Sequence, residues 1–286
     1  MDAKIFDMPC ADIAWCPGCG NFLILKSLKD ALTELDIKPE NLVMVSGVGS
    51  ASKTPHYIRA NVFDGLHGRI LPPACAIKAV NPELTVVAVG GDGDMYGEGG
   101  NHLIHAIRRN SNITNIVHNN MLYCLTRKQA SPSSSYGLIT PVQTHGVTEE
   151  PFNPVAIAIS AGATFVARAF CTDTEKTKEI IKKAILHKGY SLVDVLMPCV
   201  TFEVNSYKWF KENSYYLEQT DKVFSREEAF KKAIEIEKLP LGIFYIQEGK
   251  ATFEENQTAY KDNKTPLVFR EISRGKMIND LLHSYT

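Results

Sequence analysis

Gly91-Asp92-Gly93 and Asn119-Asn120 are the residues of this chain best suited to hold a metal ion and a phosphate. The Asp92 carboxylate and the Asn120 amide oxygen are hard ligands of the kind octahedral Mg²⁺ takes, and Mg²⁺ commonly bridges such ligands to a bound phosphate. Gly97, Gly99 and Gly100 precede a helical pattern over 101–110, where backbone N–H groups and the positive helix end can cradle phosphate oxygens. A tight glycine turn and a turn-forming Asn pair would have the same spacing. The acid-containing run DGDMYGEGGNHL is no EF-hand loop, because its fifth position is Tyr96 and its twelfth is Leu103 in place of glutamate.

Cysteine offers a second chemistry. Cys10, Cys16, Cys19, Cys75, Cys124, Cys171 and Cys199 form an odd, scattered set, unlike a secreted disulfide framework, so metal ligation or redox work is expected of a subset. Cys16-Pro17-Gly18-Cys19 superficially matches a thioredoxin active site, but that motif needs a strand feeding its helix and MDAKIFDMPCADIA offers none. A zinc site would need a second Cys or His pair at ligand spacing, and the chain shows none. GVGSAS at 47–52 mimics a dinucleotide fingerprint, yet its sixth position is Ser52, no helix of apolar periodicity begins before Pro55, and the acidic residue about 20 positions later is missing.

These residues must be positioned by alternating elements. Asn21 can cap a helix bearing Leu25, Leu28, Leu32 and Leu35, and NLVMVSG (41–47) then reads as a buried strand. Helix 72–80, strand 84–91, helix 100–110 and strand 113–119 continue the pattern. Asn153-Pro154 restarts a helix, strand 163–169 comes next, and helix 172–189, closed by Gly189, leads to strand 190–197. This predicts a doubly wound, mostly parallel α/β sheet over residues 1–200, with 201–286 as a more charged and aromatic extension packing on the domain or on a partner subunit. In such a sheet GDG and NN both lie just past the carboxyl ends of strands, where ligands bind. The stretch 127–151, with SPSSS at its centre, is long for a connection and reads as a functional surface loop. Basic and acidic residues, 31 and 32, nearly cancel, which supplies no general field for nucleic acid or an anionic membrane. The first dozen residues have no apolar signal core and no window offers 18 uninterrupted apolar residues, so no secretory signal or membrane span is expected and the location expected is cytoplasmic.

GDG with NN one helix later resembles the thiamine diphosphate signature. WCPGCGN, LHGRILPPACAIKAVNP, GGNHLIHAIRRN and NNMLYCLTRKQASP are together similar to the β subunit of the 2-oxoacid:ferredoxin oxidoreductases, nearest the 2-oxoglutarate type, from Trp15 to about Phe202. Weaker similarity extends into PLGIFYIQEGKATFEE and PLVFREI. The resemblance implies Mg²⁺ ligation by the side chains of Asp92 and Asn120 and the carbonyl of Leu122. Gly91, Gly93, Asp94, Gly99 and the His67-Gly68-Arg69 run would lie at the cofactor. It also implies a [4Fe-4S] cluster on four cysteines. Cys16, Cys19 and Cys199 fit three of those places, whereas Ser50 stands at the remaining one. A hydroxyl is a harder, poorer ligand for iron than a thiolate, so a looser cluster is expected, with Cys10 as a substitute in principle. Cys124 stands where the family usually has glycine and is expected to narrow the pocket; Cys75 and Cys171 read as buried small hydrophobes. Lys53 and Arg127 lie in segments assigned to the substrate and are expected to bind a carboxylate. The implied activity is the thiamine-dependent, coenzyme A-linked oxidative decarboxylation of a 2-oxoacid, with electrons leaving through the cluster to ferredoxin. An α subunit would supply the pyrimidine-binding domain, since only one such α/β domain is visible. A cluster-free thiamine-dependent decarboxylase or synthase, and a non-catalytic CxxC metal-binding protein, remain the alternatives.

Overall fold

Runs of consecutive apolar residues become the inner strands, because a parallel strand covered on both faces has no solvent side to alternate with. The computed structural model describes residues 2–9, 11–218, 224–271 and 274–285. In it β1 (Leu42–Ser46), β3 (Thr85–Gly91), β4 (Thr114–Asn119), β7 (Phe165–Phe170) and β8 (Ser191–Leu196) form the buried centre of the sheet. The exposed strand β2 (Asn61–Asp64) closes one edge beside β1. With β9 (Ser214–Tyr216) and β10 (Leu239–Ile246), the eight-stranded order is β2-β1-β3-β4-β8-β7-β10-β9, parallel except where β10 runs antiparallel to β7. A two-stranded ribbon, β5 (Leu122–Tyr123) with β6 (Gln129–Ala130), lies apart from the sheet.

Helices cover both faces. On one side α1 (Asn21–Glu34) and α5 (Thr174–Leu186) bury Ile24, Leu28, Leu32, Ile180 and Ile181 against the strands. On the other, α2 (Leu71–Val80), α3 (Gly100–Arg109), α4 (Pro154–Ala161) and α7 (Arg226–Ala233) enclose a second core around Leu71, Leu103, Ile107, Val155 and Ile159. Local signals act where they should: Asn153 Oδ1 accepts from Ala156 N to cap α4, and Ser225 and Glu228 form a reciprocal capping box on α7.

Three features differ from the sequence reading. Asn21 does not cap α1; Gly20 takes that place, and the Asn21 side chain turns inward to His118. Helix α5 ends at Leu186, three residues before the expected stop. The stretch after residue 200 supplies α6 (Tyr207–Glu212) and β9 (Ser214–Tyr216), then α7, then β10, so it completes the central sheet itself. The last element is helix α8 (Arg274–Ser284). No described helix is long and apolar enough to cross a membrane.

The chain leaves β1 toward β2 on one side and returns to β3 on the other. This reversal makes the gap beyond the carboxyl ends of β1 and β3 a topological switch point, the place where open α/β sheets form a crevice.

Candidate cofactor and cluster sites

A cavity opens at that point. It is lined by Val48–Ala51 after β1, by Gly91, Asp92, Gly93 and Asp94 at the end of β3, and by Asn120, Leu122 and Cys124 beyond β4, with His67 and His118 on its walls. Asp92 is buried, and burial pushes its carboxyl up to about 6 although Ser131 and Ser133 donate hydroxyls to Oδ2 at 2.5 and 2.6 Å. Its partners are thus two neutral hydroxyls. A divalent cation is what such a carboxylate lacks. Asn120 opens the turn into β5: its Oδ1 accepts from Leu122 N at 3.0 Å, and Met121 between them takes a left-handed φ of 60°. The donor set of one carboxylate, one amide and nearby backbone fits Mg²⁺ and a diphosphate.

Asp94 has a different task. Its carboxylate accepts from Val48 N, Ser52 Oγ, His67 Nδ1 and Gly68 N at 3.0, 2.9, 2.8 and 2.5 Å, so it ties the loop after β1 to the 67–68 turn and has no free lone pairs aimed at a ligand. The glycine-rich segment also differs from expectation. Gly93–Glu98 is already one π-helical stretch running toward α3, so the amide-rich end facing the cavity belongs to Gly93 and its successors. A Cβ at Gly93 would lie 2.1 Å from the Tyr123 ring, at Gly97 2.4 Å from the Tyr123 hydroxyl, and at Gly99 2.6 Å from the Asp94 carbonyl. Those glycines permit close packing, whereas a Cβ at Gly91, in the cavity wall, would make only ordinary contacts, 4.0 Å from Ala51 Cβ and from the His118 carbonyl.

Beneath the site runs a buried polar chain that the sequence did not reveal. Ser133 Oγ also lies 3.1 Å from Asn119 Oδ1, Asn119 Nδ2 donates to Asp194 Oδ1 at 3.0 Å, and Asp194 is held by Tyr96 OH at 3.0 Å and Arg168 Nε at 2.8 Å. Asn119 and Ser133 therefore brace Asp92 from below. The SPSSS loop docks through this chain, and Ser134 Oγ donates to Met121 O at 2.6 Å. The buried His118 completes the wall: it bonds Asn21 Oδ1 at 2.8 Å, and burial lowers its pKa to about 3, which keeps the ring neutral.

A second cavity adjoins the first and shares Asn21, Ser50, Asn120, Cys124 and Leu125 with it. Cys16, Cys19 and Cys199 line it, and so does Cys124. Gly18, at φ 78°, lets the CxxC segment turn ahead of α1, and Cys19 N donates to Cys16 O at 3.0 Å. Trp15 Nε1 holds the Ser50 carbonyl at 2.8 Å. No three His, Cys, Asp or Glu side chains among the described residues converge on a single ion. Four thiols around one cavity suit a multi-iron cluster instead. Of the cations, Arg127 borders this second cavity, while the half-buried Lys53 lines neither cavity and the exposed Arg69 bonds His102 at 3.1 Å. Arg127 and Lys128 both have left-handed φ, 81° and 74°, a strained turn on the cavity rim. Cys75 and Cys171 are buried in the cores; Cys10 lies outside the described residues.

Residues 43–195 match the thiamine pyrophosphate enzyme C-terminal TPP-binding domain, and residues 199–262 match the C-terminal region of the pyruvate ferredoxin oxidoreductase β subunit. The two matches meet near residue 200, although the sheet continues across that point. The chain is 41% identical over 256 residues to 2-oxoacid:ferredoxin oxidoreductase 2, subunit beta, of Aeropyrum pernix, covering 85% of this chain and 83% of that protein. It is 42% identical over 268 residues to the corresponding β subunit of Saccharolobus solfataricus, covering 87% and 88%. A solved 2-oxoglutarate:ferredoxin oxidoreductase from Magnetococcus marinus, with 2-oxoglutarate, coenzyme A and succinyl-CoA bound, superposes with a TM-score of 0.90 at 30% identity over 98% of this chain and 95% of that one. The cavity at the carboxyl ends of β1, β3 and β4 is thus set in a thiamine diphosphate-binding domain, and the chain belongs to the β subunits of the 2-oxoacid:ferredoxin oxidoreductases.

Proposed function

We propose that this chain, joined to an α subunit, catalyses the coenzyme A-linked oxidative decarboxylation of a 2-oxoacid, 2-oxoglutarate in the first instance, and passes the electrons to ferredoxin in the cytoplasm. Asp92, Asn120 and the Leu122 carbonyl would hold Mg²⁺ and thereby the diphosphate, with Gly91 placing no side chain in the cavity wall. Bound thiamine diphosphate supplies the carbanion stabilisation that loss of CO₂ from a 2-oxoacid requires. Cys16, Cys19 and Cys199 would carry a [4Fe-4S] cluster in the adjoining cavity. Asp94 and His67 keep the loop after β1 and the 67–68 turn in register, and the neutral His118 keeps the cavity wall free of competing positive charge. Arg127, on the rim, is the cation we assign to the substrate's distal carboxylate, since its planar fork matches a carboxylate in two contacts. The α subunit would bring the aminopyrimidine-activating glutamate.

One observation carries the reading: Asp92, a buried carboxylate whose partners are two serine hydroxyls, shares a single cavity with Asn120 and Leu122. The Magnetococcus marinus relative, which binds 2-oxoglutarate, supports the substrate class. The test is anaerobic co-purification with the α subunit in Mg²⁺, and then assay of 2-oxoglutarate- and coenzyme A-dependent ferredoxin reduction. Asp92→Ala is expected to abolish thiamine diphosphate retention, because it removes one of few protein ligands, and Asn120→Ala to weaken it less. Wild-type cofactor content in the Asp92→Ala complex would overturn the assignment.

A further inference from the structure

The cavity beside the cofactor site holds one more thiol than the proposed cluster uses. Cys16, Cys19, Cys124 and Cys199 line it together, and Ser50 lines it too. Cys124 enters from the ribbon: it comes directly after β5 and begins the turn in which Arg127 N donates to Cys124 O at 3.2 Å and Lys128 N to Tyr123 O at 3.1 Å. Its sulfur shares the cavity with Cys199 and accepts from Asn120 Nδ2 at 3.2 Å. Cys16 Sγ likewise accepts from Thr201 Oγ1 at 3.1 Å. Donors aimed at sulfur are the kind of contact that tunes a sulfur-ligated cluster.

We infer that Cys124 is the fourth thiolate of a [4Fe-4S] cluster held with Cys16, Cys19 and Cys199, so that Ser50 is a wall residue and no ligand. The inference rests on the cluster reading in the proposed function and completes its ligand set. Iron in such clusters is bound by soft thiolate in preference to a hard hydroxyl, and four cysteines is the ordinary complement. The rival thiols are poorly placed. Cys75 is a buried residue of α2 in the second core, and Cys171 is fully buried behind Gly20 and outside the cavity lining. Cys124 and Asn120 also border the cofactor cavity, so a cluster held by Cys124 would adjoin the cofactor site.

The experiment uses the complex with its α subunit, purified anaerobically, and reads iron, acid-labile sulfide and the EPR spectrum before and after dithionite. Wild type is expected to hold about four irons per β subunit. Cys124→Ser and Cys124→Ala should fall to about three irons or fewer and lose the wild-type reduced spectrum, whereas Ser50→Ala should keep both. Moving the thiol from position 124 to position 50 in Ser50→Cys/Cys124→Gly should restore the iron, which separates ligation from folding damage, and thiamine diphosphate content reports independently on the fold. Wild-type iron and spectrum in both Cys124 variants, or loss of iron in Ser50→Ala or Cys10→Ser with Cys124→Ala unaffected, would overturn the inference while leaving the cluster in place. Equal absence of iron from wild type and Cys16→Ala would instead overturn the cluster reading on which it stands.

Discussion

Replacing Gly93 by alanine isolates the contact that couples the end of β3 to the turn carrying Asn120. The backbone there is helical, so alanine meets no conformational penalty at that position. Its Cβ, however, would lie 2.1, 2.6 and 2.7 Å from Cε1, Cδ1 and Cζ of Tyr123. Ordinary carbon contacts are about 3.5 to 4.0 Å, so the ring must retreat by roughly 1.5 Å. Tyr123 cannot simply swing aside, because its hydroxyl donates to Glu98 at 3.0 Å and its backbone belongs to β5, one residue from Leu122 and three from Asn120. Overpacking of this kind costs about 1 to 3 kcal/mol, offset by up to about 1 kcal/mol for alanine over glycine in a helix. A net loss of about 1 to 2 kcal/mol, passed to the Asn120–Leu122 turn, predicts roughly 5- to 30-fold weaker cofactor binding. The assay is titration of thiamine diphosphate with Mg²⁺ into the anaerobic complex, in wild type, Gly93→Ala, Tyr123→Ala and the double variant. Removing the ring should abolish the alanine penalty, so the double variant should match Tyr123→Ala. Wild-type affinity in Gly93→Ala, or an equal penalty in the Tyr123→Ala background, would refute the reasoning.

Arg168→Met leaves Asp194 buried beneath the site without its cation, and urea unfolding should show a loss of about 3 to 5 kcal/mol; a loss under about 1 kcal/mol would mean that Tyr96 and Asn119 alone satisfy the carboxylate. Lys78 donates to Pro82 O and Leu84 O from a buried position, and burial lowers its pKa from 10.5 to about 8. Between those values the unfolded chain keeps a proton that the folded one releases, so stability should rise with pH across that window. The rise is at most about 3 kcal/mol, because the two carbonyls favour the charged form, and it should vanish in Lys78→Met. Arg127→Met should raise the apparent KM for 2-oxoglutarate tenfold or more, for a lost contact of roughly 1.5 to 3 kcal/mol, while sparing pyruvate; equal effects on both substrates would move Arg127 out of the specificity pocket.

The succession of strands and helices, and the edge of the sheet on which chemistry would fall, were legible along the chain. Apolar runs at 42–46, 85–91, 114–119 and 191–196 separated by helical periodicity leave few alternatives to a parallel sheet, and parallel strands bring every carboxyl end to one side. Asp92 and Asn120 meet for that reason alone. Other features have no counterpart in any spacing and arise only when the chain is folded: Ser131 and Ser133, 39 and 41 residues from Asp92, supply its hydroxyl donors, Asp94 is spent on holding two loops, and Cys124 joins Cys16, Cys19 and Cys199 around one cavity. The fate of the residues after 200 is of this second kind. PLGIFYI looks like any short apolar run until the free edge of β7 is available to pair with it. Local pattern depends on period and capping, which neighbours along the chain dictate. A donor's partner across a cavity depends instead on where loops settle once both cores have packed, and that information is spread over the whole chain.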